Sequence, residues 1–146
     1  MSAIQMPIIV VVDVVAALAT ESVDGAVWLV DSNKIGGSTG QGTSRLQTAI
    51  RKGDELVWTV MSLECEAFAA IHTIDIDSAY CEVKQGFYPG TDIGYWLGTI
   101  KKDPGELLVP YNIELILGSR TAHMSLSPSN LPAITGGRTE GPRRPQ

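Results

Sequence analysis

The sequence is poor in cysteine, histidine, aromatic residues and positive charge, and each shortage removes a class of explanation. Its two cysteines, Cys65 and Cys81, are too few for the disulfide framework of a small secreted scaffold. They can bridge only if their strands are neighbours; otherwise they stand as reduced thiols, the reading favoured for a cytoplasmic chain. They lie too far apart for a CxxC knuckle and have no second pair, so a cysteine zinc site is excluded. Eleven Lys and Arg against sixteen Asp and Glu give a net charge of −5. That excludes a nucleic-acid partner, whose binding rests on basic surface. The basic charge is moreover displaced to the end, where three Arg and one Glu follow residue 127.

Long apolar runs are missing too. Residues 7–19 form the most apolar stretch, but it is shorter than the ~20 residues a membrane-crossing helix needs, and Asp13 interrupts it. No Lys or Arg precedes it, as a secretory signal would require. It reads as a buried strand, and the chain as cytoplasmic with no membrane span.

What is present points to β-structure. The 146 residues suit one domain able to bury its own core. Fifteen Gly and eight Pro favour short strands joined by turns. Residues 8–15 (IIVVVDVV) are rich in β-branched residues, the mark of a central strand covered on both faces. Residues 16–22 allow one helical turn, and 26–31 (AVWLVD) form a second strand. Residues 46–50 and 55–61 flank the turn Arg51-Lys52-Gly53-Asp54 and read as a β-hairpin. Alternation sends Leu56, Trp58 and Val60 to one face of it, with Trp58 inward. Further strands are expected over 67–77, 80–88, 93–100 and 107–117. The two glycines within 93–100 signal a bulge or a close approach, and Trp28 joins Trp58 as a core residue. The fold class is therefore all-β, a compact antiparallel β-sandwich (jelly-roll-like) of seven or eight strands. Residues 1–127 make the sandwich, and 128–146, rich in Pro, Gly and Arg, form a disordered tail tied down at most near 131–134.

Motifs that carry chemistry are sparse. Residues 37–42 have the glycine spacing of a phosphate loop, but Thr43 stands where lysine belongs and a strand follows instead of a helix. The same loop offers Ser38, Thr39, Gln41, Thr43 and Ser44 as polar groups, either for a hydroxyl-rich ligand or simply as a solvated connection. RKGDELVWT (51–59) resembles strand turns of copper-binding β-sandwiches, which require two His, a Cys and a Met close together. Here His72 and Cys81 are far along the chain from His123 and Met124, so no copper set is expected, and no other metal. Asp75 and Asp77, with Glu64 or Glu66, lack the third oxygen and the glycine of a calcium loop. His72 alternates with apolar residues and reads as a core or edge histidine. Asp13 must find a partner inside its strand, by capping the strand end or meeting the turn near Arg45. Tyr88, Tyr95 and Trp96 cluster around a turn, a pattern shared by sugar-stacking surfaces and dimer interfaces.

Five segments, taken in order, carry a family likeness: IIVVVDVVAAL (8–18), VWLVDSN (27–33), GQGTSRL (40–46), RKGDELVW (51–58) and YPGTDIGYWLGTI (88–100). Together they resemble the PixA/AidA inclusion-body protein family of bacteria. The resemblance implies a compact β-sandwich made in the bacterial cytoplasm under population-density or growth-phase control. In some members it implies accumulation as inclusions and a part in host interaction. It supplies no catalytic residues, and the chain departs from methionine-rich members in having only four Met. The expected function is that of a non-enzymatic, self-associating protein, a homodimer joined by a strand edge or by the Tyr95/Trp96 face. The alternative is a small-ligand or carbohydrate-binding module using Ser38, Thr39, Gln41, Thr43, Tyr95 and Trp96. A third reading, an enzyme built on Asp13, His72 and Asp75, has least support. No cofactor is called for.

Overall fold

The structure, a computed structural model, describes residues 5–31, 37–64, 67–91, 94–118 and 122–136. The chain forms β1 (Gln5–Val12), α1 (Val14–Thr20), β2 (Val27–Asp31), β3 (Gln47–Ala49), β4 (Glu55–Ser62) and β5 (Ala69–Ile76). It continues with β6 (Cys81–Phe87), β7 (Gly94–Ile100), β8 (Val109–Leu117), β9 (Ala122–Ser125), a 3-10 turn (Pro128–Asn130) and β10 (Ala133–Thr135). One sheet runs β2-β1-β4-β7-β6; the other runs β3-β10-β8-β5, with β9 pairing β8. No helix among the described residues is long and apolar enough to cross a membrane.

The all-β sandwich follows from period-two burial. Met6, Ile8, Val10 and Val12 of β1 are buried, as are Val109, Tyr111, Ile113, Leu115 and Leu117 of β8. Each such side chain removed from water stabilises the fold by about 1.5–3 kcal/mol. Between the sheets lies Trp58, fully buried, with its indole N–H donating to the Tyr111 hydroxyl at 3.2 Å. The rings meet edge to face, 5.4 Å between centroids, the arrangement aromatic quadrupoles prefer. Burial pushes the Tyr111 hydroxyl above its ordinary pKa, so it stays a neutral acceptor for the indole. The space for Trp58 comes from Gly98. A Cβ there would stand 2.7 Å from the indole and 2.8 Å from the Cys81 sulfur. The close approach expected at the glycines of this strand is thus a side chain packing on a bare backbone.

Three local expectations are corrected. The hairpin proposed over 46–61 does not form: β3 lies in one sheet and β4 in the other. The turn itself is real, with the Arg51 N–H on the Asp54 carboxylate at 3.0 Å and Gly53 at φ +90°. Its backbone, however, docks on β7 through Gly53 N–H to Ile100 carbonyl and Ile100 N–H to Asp54 carbonyl. The chain therefore crosses between sheets there instead of folding back. Secondly, the strands among the described residues number ten, and the sheets are mixed, because β1 pairs β4 and β10 pairs β3 in parallel.

Thirdly, the sandwich does not end at residue 127. β10 lies between β3 and β8 with Ala133 and Ile134 buried, so residues 128–136 belong to the sandwich. Residues 137–146 of the expected tail lie outside the described residues. The approach to β10 is pinned from both sides. Asn112 exchanges two hydrogen bonds with the Leu126 backbone, and the Ser127 N–H donates to Asp24 at 3.0 Å. That N–H is the main reason the Asp24 carboxyl sits below its ordinary pKa. The stability it contributes is present above the unfolded carboxylate pKa and is lost as acid protonates Asp24.

Tyr111→Phe leaves the buried Trp58 N–H without its acceptor, an expected loss of about 1–3 kcal/mol in urea unfolding. Gly98→Ala, which drives a methyl into the same indole, is expected to cost about 1–3 kcal/mol by overpacking. Unchanged unfolding midpoints for both variants would show that this contact does not organise the core.

Candidate functional site

The described polar residues of the loop bond back to the chain itself. Ser38 is buried, and its Oγ accepts the Ala49 N–H at 2.9 Å. Thr39 pairs its backbone with Gln47 in both directions, and Thr43 places its hydroxyl on the Gly40 carbonyl at 2.8 Å. Gln41 folds back on Asp31, accepting its N–H at 2.8 Å and donating to its carboxylate at 2.6 Å. The other oxygen of that carboxylate accepts from Thr48 of β3 at 2.9 Å. Asp31, unremarked in the sequence, thus ties the last residue of β2, the loop and the second sheet together. The predicted loop residues 32–36 lie outside the described residues.

Tyr95 and Trp96 do not complete a pocket with this loop. Strands β1 and β4 stand between β2 and β7, which separates them by about 14 Å at ~4.8 Å per strand. As neighbours on one strand they also face opposite ways. Trp96 opposes Trp58 in register and is half-buried, donating its indole N–H to the Ile71 carbonyl of the opposite sheet at 3.1 Å. Tyr95 lies on the outer face over Gly86, whose absent Cβ would stand 2.6 Å from its ring, and Tyr88 packs beside it. The exposed Tyr95/Trp96 face read from the sequence is therefore replaced by one inward and one outward aromatic.

The acidic and nucleophilic candidates are likewise dispersed. Asp13 ends β1 and caps α1, accepting the Ala16 N–H at 3.0 Å. That bond, followed by one to Glu64, holds its carboxyl below the ordinary value. Glu64 in turn accepts the Val14 N–H at 3.0 Å, so both carboxylates satisfy the free donors of the first helical turn. Asp77 accepts the Ala79 N–H in its own turn. Glu66 and Cys65 lie outside the described residues. Cys81 is buried, its thiol pushed up to about 12 by desolvation, which disfavours the thiolate that a metal or an electrophile needs.

The two histidines contradict the separation inferred from chain distance. His72 of β5 and His123 of β9 meet with ring centroids 4.8 Å apart, and Glu114 of β8 lies with them. Cys81 does not join them, because it is on the inner face of the other sheet.

A larger feature is the outer face of the first sheet. Opposite the buried residues of β1 stand Pro7, Ile9 and Val11, in register with Val57, Thr59 and Met61 of β4. Trp28 and Val30 of β2 oppose Val11 and Ile9, and Leu97 of β7 opposes Val57. No charged side chain stands at these positions; Glu55 and Gln5 bound one end, and Glu82 and Lys84 lie beyond on edge strand β6. Ile9 is 39% and Met61 55% exposed. Two sequence expectations change here: Trp28 is a half-buried outer-face residue, not core, and β1 is covered on one face only.

If the loop is a brace, Gln41→Ala lowers unfolding stability by about 1–3 kcal/mol through the stranded Asp31 groups. Trp96→Ala loses about 2 kcal/mol or more, as truncation of a partly buried indole should. Denaturant titration checks both, and full retention of stability in either variant would restore that residue as a free surface group.

A search of curated proteins finds none that matches this chain. Among solved structures, the crystal structure of an inclusion body protein (PixA) from Burkholderia cenocepacia J2315 superposes with a TM-score of 0.69 at 12% identity. The superposition covers 92% of this chain and 98% of that one, so the two share a fold along their length, as the ordered motifs implied. Residues 4–123 match the family described as Domain of unknown function (DUF8788). The chain belongs to that family, and the family's fold in this chain is the PixA-type β-sandwich.

Proposed function

We propose that this chain is a non-enzymatic protein of the bacterial cytoplasm that acts by self-association. Its copies would join through the outer face of β2-β1-β4-β7. The single observation that carries the reading is the uncharged, apolar field over the parallel β1/β4 pair. Parallel strands are ordinarily covered on both faces, and their near-continuous apolar sequence reflects it. Here residues 8–12 have that composition, yet only one face meets a core. An apolar patch with a polar rim is the usual form of an interaction surface.

The size of the face is adequate. Four strands at ~4.8 Å and about eight residues at ~3.3 Å each give roughly 500 Å² per copy, or about 1,000 Å² for a pair, near the lower bound for a specific interface. A two-fold axis would set the face against itself. The name of the structural neighbour, an inclusion body protein, accords with a fold that packs against its own kind. The carbohydrate-module reading loses support because the Ser38 and Thr43 hydroxyls and the Gln41 amide already have partners within the chain.

Sedimentation velocity and native mass spectrometry across a concentration range test this. The wild type is expected to give even-numbered oligomers. Ile9→Lys and Met61→Lys should each raise the dissociation constant by roughly 10- to 100-fold, the equivalent of one buried aliphatic side chain. Both positions are exposed in the single chain, so circular dichroism should be unchanged. A wild type that is monomeric at every concentration, or variants that assemble like it, would sink the proposal.

A further inference from the structure

The chain has only two histidines, and the fold brings them to one spot on the outer face of the second sheet. Fifty residues separate His72 from His123 in sequence. In space the liganding atoms of His72, Glu114 and His123 all lie within 4.8 Å of one another. His123 Nδ1 is 2.9 Å from Glu114 Oε2. Both histidines are exposed and Glu114 is partly so, leaving the cluster open to solvent from one side.

The backbone explains how His72 reaches its place. Ile71 opposes Leu115 and Thr73 opposes Glu114, so His72 is an extra residue in β5, a β-bulge. Strict alternation from buried Ile71 would send Thr73 inward; instead Ile74 is the next buried residue. The bulge keeps the apolar register and leaves His72 outside, beside Glu114. On the other flank of β8, Glu114 opposes Ser125 and Ile116 opposes His123. His123 is therefore the diagonal neighbour of Glu114, a separation long side chains bridge. One carboxylate from the middle strand thus has an imidazole on each side.

We propose that His72, Glu114 and His123 form a surface site for a divalent transition-metal ion of the zinc class. Two imidazole nitrogens and one carboxylate oxygen are donors such ions favour. Three protein ligands leave a coordination position open to water or to a group from outside the chain. Bonds of about 2.0–2.1 Å in tetrahedral geometry put ligand atoms roughly 3.3 Å apart, so rotation of the exposed rings closes the set without moving the strands. The competing account is a plain surface ion pair between Glu114 and His123, of the solvent-screened kind that contributes little. That pair has no use for a second imidazole, nor for the bulge that presents it. Bulges concentrate where a side chain is re-aimed at a site.

The test is calorimetric titration of ZnCl2 into the tag-free full chain after chelator treatment, with His72→Ala, His123→Ala, Glu114→Gln and the His72→Ala/His123→Ala double variant. One ion per chain is expected for the wild type. Each single substitution should weaken binding by at least about 10-fold, the scale already seen when outer partners of metal ligands are removed. The double variant should show no saturable binding, with circular dichroism unchanged in all four. Co2+ should give visible ligand-field bands without thiolate charge transfer, and Cys65→Ser/Cys81→Ser should bind zinc as the wild type does. Absence of saturable zinc binding to the wild type would overturn the proposal. So would wild-type affinity in the double variant, or a thiolate band with Co2+, either of which puts the ion elsewhere.

Discussion

The buried Trp58 indole on the Tyr111 hydroxyl is the polar contact that sets the two sheets against each other at the centre of the core. Apolar packing alone is tolerant of sliding, since hydrophobic attraction has no direction. A buried N–H with a single acceptor across the core is not tolerant, because misalignment leaves it unpaired at a cost of about 1–3 kcal/mol. Much of the surrounding sequence serves that contact. Gly98 clears the volume, Cys81 lines it, and Trp96 repeats the device one strand over by bonding the Ile71 carbonyl. The two tryptophans face each other in register and reach different strands of the opposite sheet, β8 and β5.

With the interior so committed, the external faces become the informative surfaces. Over the middle of β2-β1-β4-β7 the first sheet turns an uncharged, largely apolar face outward, with charge only at its margins. The second carries a bulge and a histidine pair on its outer face. The contrast has a structural origin. The parallel β1/β4 pair needs a strand rich in Val and Ile, which leaves its second face apolar whether or not the chain covers it. The antiparallel β5/β8/β9 set tolerates an extra residue, and a bulge there displaces one side chain without breaking the apolar alternation beneath.

The polar loop between β2 and β3 shows why composition alone does not separate a ligand site from a structural connection. Hydroxyls and amides suited to a ligand are equally suited to satisfying a connection that runs between two sheets. Asp31 gathers Gln41 and Thr48 in that way. A loop of this length must place its own backbone and side-chain donors, and Ser38, Thr39, Gln41 and Thr43 make such bonds within the chain.

The sequence by itself determined the local pattern. Alternation along residues 55–61 specified which residues of β4 face inward, Trp58 among them, whereas the unbroken apolar run of β1 did not show that one of its faces is left outside. Gly53 with Asp54 specified a turn, and the β-branched run of residues 8–15 specified a strand, which the structure places at Gln5–Val12. The ordered motifs pointed to the PixA-type sandwich. These readings succeed because backbone geometry at each residue depends on its immediate neighbours. Only the tertiary structure decided which strand lies beside which. The 51–54 turn is compatible with a hairpin, and only its docking on Ile100 sends β3 and β4 to different sheets. Residues 133–135 carry too little pattern to announce a strand, and become one because β3 and β8 leave a gap between them. The outward Trp28 and the meeting of His72 with His123 belong to the same class. Each depends on pairing between residues distant in the chain, and a bulge of a single residue was enough to decide the second.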